Sequence, residues 1–374
     1  MPAQVVATLP RAWLLLTVLT ALAVAAPSVP IAAQQAPSSE IQVLPVRGNI
    51  YMLQGAGANI TVSIGRDGVL MVDSGLASMG DQVLATIRRL QNQIDLGDKP
   101  LGWGAETRSS IADRDIETPA KPIRYIINTH VHSDHVGANQ LLRRSGMTFT
   151  GGNVTGNISD ATEGAAIMAH EAVLTRMTST AGGATPAPAD AQPTDTYYTD
   201  TMKLSHFFNG EGVQLIHQAS AHTDGDTLVW FRGSDVIAAG DVFSTTSYPI
   251  IDLKQGGSIN GVVEGLNRIL RLCIAEFRTE GGTLVIPGHG RLSDSADVAY
   301  YRDMVTIIRD RVSAMVGKGL TLEQVKASKP TADYEPRYGA TNGAWTTDQF
   351  IAAAYESLGG GKTTAPKTAP GRSK

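Results

Sequence analysis

Apolar and polar positions along this chain change their period several times, and each change predicts an element. Between residues 41 and 72, short β-branched and aromatic runs alternate with turn residues. Runs at 41–46 and 50–53 flank Arg47-Gly48-Asn49, and runs at 59–64 and 68–72 flank Arg66-Asp67-Gly68. Such runs read as paired strands. From 80 to 94 the period lengthens, with Val83, Leu84, Ile87 and Leu90 at helical spacing. Ile123-Arg124-Tyr125-Ile126-Ile127-Asn128 reads as a buried strand, 136–144 as a helix, and 165–177 as another helix. Strands return at 202–207, 213–217, 227–231 and 236–239. A helix at 259–277, a strand at 283–286 and a helix at 295–316 follow. The result is an α/β (α+β) chain of two strand-rich halves, each followed by helices, with no 20–50-residue sequence repeat.

Two stretches interrupt the pattern. Residues 95–122 contain Gly97, Gly102, Gly104, Pro119 and Pro122 around Trp103, and read as a lid or a surface excursion. The second, near 151–200, is Gly/Asn/Thr-rich at its start and low in complexity at 178–196, where the composition predicts mobility. After Leu358 the chain is rich in Gly, Lys, Thr and Pro, and a disordered tail is expected. The resulting organisation is a signal peptide at 1–33, a linker at 34–40, one domain at 41–318 with both insertions, and a C-terminal extension at 319–374.

The signal-peptide reading rests on Arg11 followed by the apolar run 12–26, shorter than a membrane span usually needs. Ile31-Ala32-Ala33 before Gln34 is an acceptable cleavage site, and an uncleaved anchor is the alternative. A periplasmic or secreted protein is expected, with no stable membrane span after cleavage. The net charge of −4 gives no reason to expect a nucleic-acid partner. The lone Cys273 lies in a helical run and reads as a core residue that makes no internal disulfide.

The chemistry gathers at Thr129-His130-Val131-His132-Ser133-Asp134-His135. Three histidines and a carboxylate fall within six residues at the end of a predicted strand. His130 and His132 are two apart, so an extended backbone points them the same way. No packing need calls for so much imidazole in one place. Further candidates stand at predicted strand ends or turns: His222 in Ser220-Ala221-His222-Thr223-Asp224-Gly225-Asp226, Asp241 after the strand at 236–239, and His289 between Gly288 and Gly290. The set is all imidazole and carboxylate, which suits zinc, with iron or manganese as alternatives. Seven ligands exceed what one tetrahedral ion takes and suit two ions sharing a bridge. His206 and His217 lack metal spacing and read as core or surface residues; His170 reads as structural or as a support for the ligands.

The HxHxDH motif, the downstream His222 turn, Gly240-Asp241 at a strand end and Gly288-His289-Gly290 resemble the metallo-β-lactamase fold superfamily. The resemblance covers roughly residues 41–318. Asp73-Ser74-Gly75 resembles that family's early Asp-Ser/Thr-Gly strand end, which has a structural role near the metals. The resemblance implies an αββα sandwich, two mixed β-sheets flanked by helices, with two zinc ions per chain at one edge. Carried over to this sequence, it assigns His130, His132 and His222 to one ion. Asp134, His135 and His289 go to the other, and Asp241 bridges them. It also implies hydrolysis of a carbonyl substrate (ester, lactone, thioester, or an amide such as a β-lactam) by a bridging hydroxide, with Asp134 as the catalytic proton acceptor. The β-lactam-hydrolysing members generally carry Cys or Ser where Asp241 stands. Residues 243–251, with Tyr248-Pro249 at their centre, are expected to form a wall of the pocket for a small-molecule substrate, and Trp103 its lid. The rival readings are a mononuclear iron dioxygenase of persulfide type and a metal-stabilised periplasmic binding protein.

Overall fold

Alternation along the strands decides how the layers stack. The computed structural model describes residues 40–95, 122–147, 164–273 and 281–360. One sheet runs in the order β1 (Gln42–Arg47), β2 (Ile50–Ala56), β3 (Ala58–Gly65), β4 (Gly68–Val72), β5 (Ile123–Ile127), β6 (Ala166–His170) and β7 (Asp195–Tyr197). Its first four strands pair antiparallel, and β4 to β7 pair parallel. The other sheet is built from β8 (Thr201–Lys203), β9 (Val213–His217), β10 (Thr227–Phe231), β11 (Val236–Ala238), β12 (Leu284–Ile286) and β13 (Ser293–Asp294). They lie in the order β13-β12-β11-β10-β9-β8, with β11 and β12 parallel and the other pairs antiparallel. Both sheets are therefore mixed.

Successive residues of a strand face opposite ways. Ile50, Met52, Leu70, Val72 and Ile127 of the first sheet meet Leu215, Val229, Phe231, Val236 and Ile286 of the second in the layer between the sheets. Their neighbours Tyr51, Leu53, Val69, Met71 and Ile126 point outward, onto Val83, Ile87 and Leu90 of α1 (Gly80–Asp95). Two short helices, α2 (Ser133–Val136) and α3 (Asn139–Arg144), stand where one helix over 136–144 was expected. The outward residues of the second sheet, among them Ile216, Leu228, Ile237 and Val285, pack on a thicker helical layer.

Residues 165–177 are not one helix. Ala166–His170 is the buried strand β6, and only Glu171–Thr178 is helical, as α4. Alanine and methionine suit a helix locally; the slot between β5 and β7 overrides that preference. The predicted strand at 202–207 shortens to Thr201–Lys203. The low-complexity stretch 178–196 packs back on α3, where Asp190 accepts from Gln140 and pairs with Arg144.

The thick layer comprises α5 (Ile259–Leu272), α6 (Ser295–Gly317), α7 (Leu322–Ala327), α8 (Glu335–Tyr338) and α9 (Thr347–Ser357). Thr321 and Thr346 start α7 and α9 with capping boxes to Gln324 and Gln349. Val325, Tyr338, Phe350 and Ile351 join the same core cluster as α5 and α6. Residues 319–360 thus pack on the second sheet rather than trailing from it. Cys273 caps α5 and packs against this cluster. The expected signal peptide, Trp103 and the C-terminal tail beyond Gly360 lie outside the described residues. No helix among the described residues is long and apolar enough to cross a membrane.

Parallel pairing places the C-terminal ends of β4, β5, β11 and β12 on one edge of the sandwich, where α/β sheets collect ligands. Backbone bonds tie the sheets together there: Thr227 N–H donates to Thr129 O at 2.8 Å, and Asn59 N–H donates to Gly288 O at 2.8 Å.

Candidate metal centre

Asp73 follows β4 and Thr129 follows β5, so the two meet at that edge. Asp73 takes a left-handed backbone, φ 64°, which Asp tolerates better than most residues. Its carboxylate accepts from Thr129 N–H and Thr129 Oγ1, both at 2.8 Å, and lies 2.7 Å from His135 Nδ1. A carboxylate is acceptor-only, so Nδ1 of His135 donates to it and Nε2 is the nitrogen turned inward.

The same logic fixes the other rings. His130 Nδ1 lies 3.1 Å from Thr129 Oγ1, whose proton is already given to Asp73, so Nε2 of His130 faces inward as an acceptor. His222 Nδ1 donates to Ile250 O at 2.7 Å and turns Nε2 inward. His132 is reversed: its Nε2 donates to Asp252 Oδ2 at 3.0 Å and its Nδ1 faces in. The inward nitrogens of His132 and His222 are 2.9 Å apart. Two lone pairs at that distance repel unless a proton or a cation lies between them.

Asp241, after β11, holds the middle. Its Oδ2 is 3.6 Å from His222 Nε2; its Oδ1 is 3.3 Å from His135 Nε2 and 3.4 Å from His289 Nε2. Each oxygen therefore faces a different set of histidines. His289 Nε2 also lies 3.2 Å from Asp134 Oδ2. Glycine precedes His289 because a Cβ at Gly288 would collide with Asp241 Oδ1. The ligand atoms fall into two groups, His130, His132, His222 and Asp241, and Asp134, His135 and His289, each within 4.8 Å. All seven residues singled out in the sequence are brought together.

The donor set fits divalent cations. His130 Nε2, His135 Nε2 and Asp241 Oδ1 are buried and make no hydrogen bond. Each such atom costs about 1–3 kcal/mol, and cations would satisfy all three. Burial, reinforced by neighbouring imidazoles, holds the His130 pKa well below 6.5, so the ring is neutral, as a ligand must be. Burial alone would lower His135 and His289 too. Carboxylates reverse this: Asp73 and Asp241 raise His135 well above 6.5, and Asp241 and Asp134 raise His289 to about 9. Those imidazoliums in turn outweigh burial at Asp241 and hold its pKa well below the carboxylate range.

A cleft of about 340 Å³ opens over this cluster, lined by His132, Asp134, Asp241, Ser244, Thr246, Ser247, Ile250 and His289. The segment after Asp241 does form a wall, but Tyr248 turns away from it into the helical core. His170 supports α4 instead of a ligand: its Nδ1 accepts from Ala172 N–H, and its ring stacks on His217 at 3.6 Å. His206 stays exposed near Ser205. Asp252 went unnoticed in the sequence, where it looks like an ordinary turn residue; its Oδ1 does accept from Lys254 and Gln255 N–H. Thr129 opens the stretch singled out in the sequence, but its bonds to Asp73 and His130 are visible only in the fold.

A family model described as Metallo-beta-lactamase superfamily matches residues 53–289. A metallo-beta-lactamase type 2 from Bacillus cereus is 22% identical over 185 residues, 50% of this chain and 59% of that protein. The stereoselective inverting sec-alkylsulfatase Pisa1 from Pseudomonas sp. superposes with a TM-score of 0.55 at 15% identity, covering 84% of this chain and 50% of its own. A metallo-beta-lactamase from Pontibacter korlensis superposes with a TM-score of 0.46 at 12% identity, covering 71% of this chain and 99% of its own. The chain thus spans less than two thirds of the Bacillus relative and of the sulfatase.

Proposed function

The chain belongs to the metallo-beta-lactamase superfamily, and from that footing we propose that it is a dinuclear zinc hydrolase acting on a carbonyl substrate. His130, His132 and His222 would hold one ion, and Asp134, His135 and His289 the other. Asp241 would bridge them, because its two oxygens face different histidine sets. That placement is the observation that carries the reading, and it favours two ions over the single iron of a dioxygenase. Bound divalent ions supply Lewis acidity, lowering the pKa of water from about 15.7 toward 7 and polarising a carbonyl.

The chain's own residues do the rest. Asp73, Asp252 and the Ile250 carbonyl fix ring orientation, so that the rings need no rotation to bind a cation once the inward nitrogens are free of protons. Asp134 is about one third exposed, in the cleft wall, where the carboxylate oxygen not turned to His289 would orient the attacking water and accept its proton. Ser244, Thr246 and Ile250 line the cleft and would face the substrate. The apolar run 12–26 supports export to the periplasm, where the substrate would be met.

Two measurements test the reading. Metal analysis of freshly purified protein should give about two ions per chain, mostly zinc. Turnover should appear in a panel of esters, lactones, thioesters and β-lactams, and turnover of secondary alkyl sulfates alone would overturn the carbonyl substrate. One iron with an oxygen-dependent reaction would overturn the proposal.

A further inference from the structure

The cleft wall formed by residues 244–250 has no regular secondary structure of its own. Its two ends are fixed by the metal-site residues. Ser244 pairs with His289 in an isolated parallel bridge, and Thr245 N–H donates to His289 O at 3.1 Å. At the far end, Ile250 O accepts from His222 Nδ1. The middle is held from elsewhere. The hydroxyl of Tyr301, on α6, donates to Ser247 O at 2.9 Å. The next residue, Tyr248, stacks on Phe350 of α9 at 4.8 Å and 6°, and its hydroxyl donates to Thr331 O at 3.2 Å.

Between these anchors stands Thr246, exposed on the cleft side. Its Oγ1 lies 3.1 Å from Ser244 Oγ, while Ser247 Oγ is turned to Tyr248 O. Thr246 is thus the wall's hydroxyl most open to a bound molecule. Tyr301 is only 1% exposed and is not among the residues lining the cleft. Its single polar atom is spent on the backbone directly behind Thr246.

We propose that Tyr301 is a positioning residue and Thr246 a specificity-determining residue for the hydrolase reading given above, on which this inference rests. The hydroxyl of Thr246 would hydrogen-bond a polar group on the non-reacting part of the substrate, and Tyr301 would set its distance from the metal centre. Both Tyr301 and Phe350 lie beyond residues 53–289, so the substrate preference is set in part by helices outside the matched family segment.

The test compares Tyr301→Phe, Thr246→Val and the double variant with the parent zinc enzyme. Paired esters with and without a hydroxyl beside the acyl carbon are the substrates. Thr246→Val should raise KM for the hydroxylated ester about five- to tenfold and KM for the plain ester by much less, with kcat changing less than KM on either. Tyr301→Phe should raise the same KM about threefold and speed hydrogen exchange at amides 244–248, with zinc content unchanged. Because both act on one contact, the double variant should add little to Thr246→Val. Equal KM changes on both esters, or a Tyr301→Phe enzyme that loses zinc and kcat together, would overturn the proposal. A parent enzyme inert to every ester, lactone, thioester and β-lactam overturns the hydrolase reading and with it the substrate role of Thr246. Inert parent protein with faster exchange in Tyr301→Phe would show that the failure lay in the reaction and not in the anchoring of the wall.

Discussion

Two histidine clusters stand in this fold, and they are built on opposite plans. In the candidate metal centre each of four rings has its outer nitrogen tied to a carboxylate, a carbonyl or a hydroxyl, leaving an inward nitrogen to meet the others. In the second cluster, His170 and His217 lie flat on each other, 6° from parallel. Their recorded bonds run outward to Ala172 N–H and Asp224 O. The first arrangement converges lone pairs and carboxylates on a shared volume; the second stacks two faces and converges nothing. Histidine content is therefore a poor guide to a metal site. The direction of the unsatisfied nitrogen is a better one.

The largest effect that would break this contrast is at Asp241. Asp241→Ala should remove the shared carboxylate and leave the two cation groups repelling, with metal affinity falling by more than the ~10–100-fold typical of losing an orienting partner. Most activity should go with it, while His206→Ala stays near neutral. Metal analysis after dialysis reads this directly, and equal losses from both variants would show the ligand set to be wrong.

The next effect separates holding from chemistry within the centre. Asp134→Asn should lower turnover by on the order of 10² or more even in excess zinc, the usual scale of general acid–base help. His222→Ala should weaken metal binding first, so that added zinc recovers part of the activity. Full rescue of Asp134→Asn in the same zinc titration would reduce Asp134 to a ligand.

A smaller effect distinguishes the clusters by the sign of their pH response. In metal-free protein the carboxylates Asp241 and Asp134 overcome burial and hold His289 protonated up to about pH 9. Its folded pKa exceeds the unfolded value of about 6.5, so its stabilising contribution is complete below pH 6.5 and is lost as pH rises to 9. Melting of the metal-free protein should fall over that window, and zinc binding at pH 7 should release protons. Melts from pH 6.5 to 9, and calorimetry in two buffers of different ionisation enthalpy, check both. A flat profile with no proton release would refute the assignment.

The smallest effect belongs to the stacked pair. Burial, reinforced by His217, lowers His170 to about 4. Its neutral form is the one the fold favours, so stability is complete above pH 6.5 and declines as pH falls toward 4. His170→Gln should flatten that acid slope while changing kcat and zinc content less than twofold. A loss of zinc would place His170 with the metal centre and erase the contrast between the clusters.

How much could be read beforehand followed the range of the interactions. Strands β2 to β4, β9 and β10, and helix α1, are visible because their period is local and their turns are marked. Strand β6 was read as helix because Ala166-Ile167-Met168-Ala169-His170 suits either state, and only pairing with β5 and β7 makes it a strand. The four clustered candidates, His130 to His135, are legible by density alone. His222, Asp241 and His289 are legible as donors at predicted strand ends or turns, and the resemblance then divides the seven between two ions. Asp252 escaped because a turn aspartate and a histidine-orienting aspartate look identical along the chain.

The sequence by itself determined the donor chemistry: five imidazoles and two carboxylates at strand ends and turns, which suits divalent metals whatever the packing. Only the tertiary structure decided which nitrogen each histidine turns inward. That choice is made by acceptors distant in the chain, Asp73 for His135, Asp252 for His132 and the Ile250 carbonyl for His222. The parallel strands decided that Asp241 would offer one oxygen to each group, because β11 ends beside β12 and across from β5 at the same edge. A side chain's element and distance along the chain are local properties. The direction of its lone pair depends on what the rest of the chain places behind it.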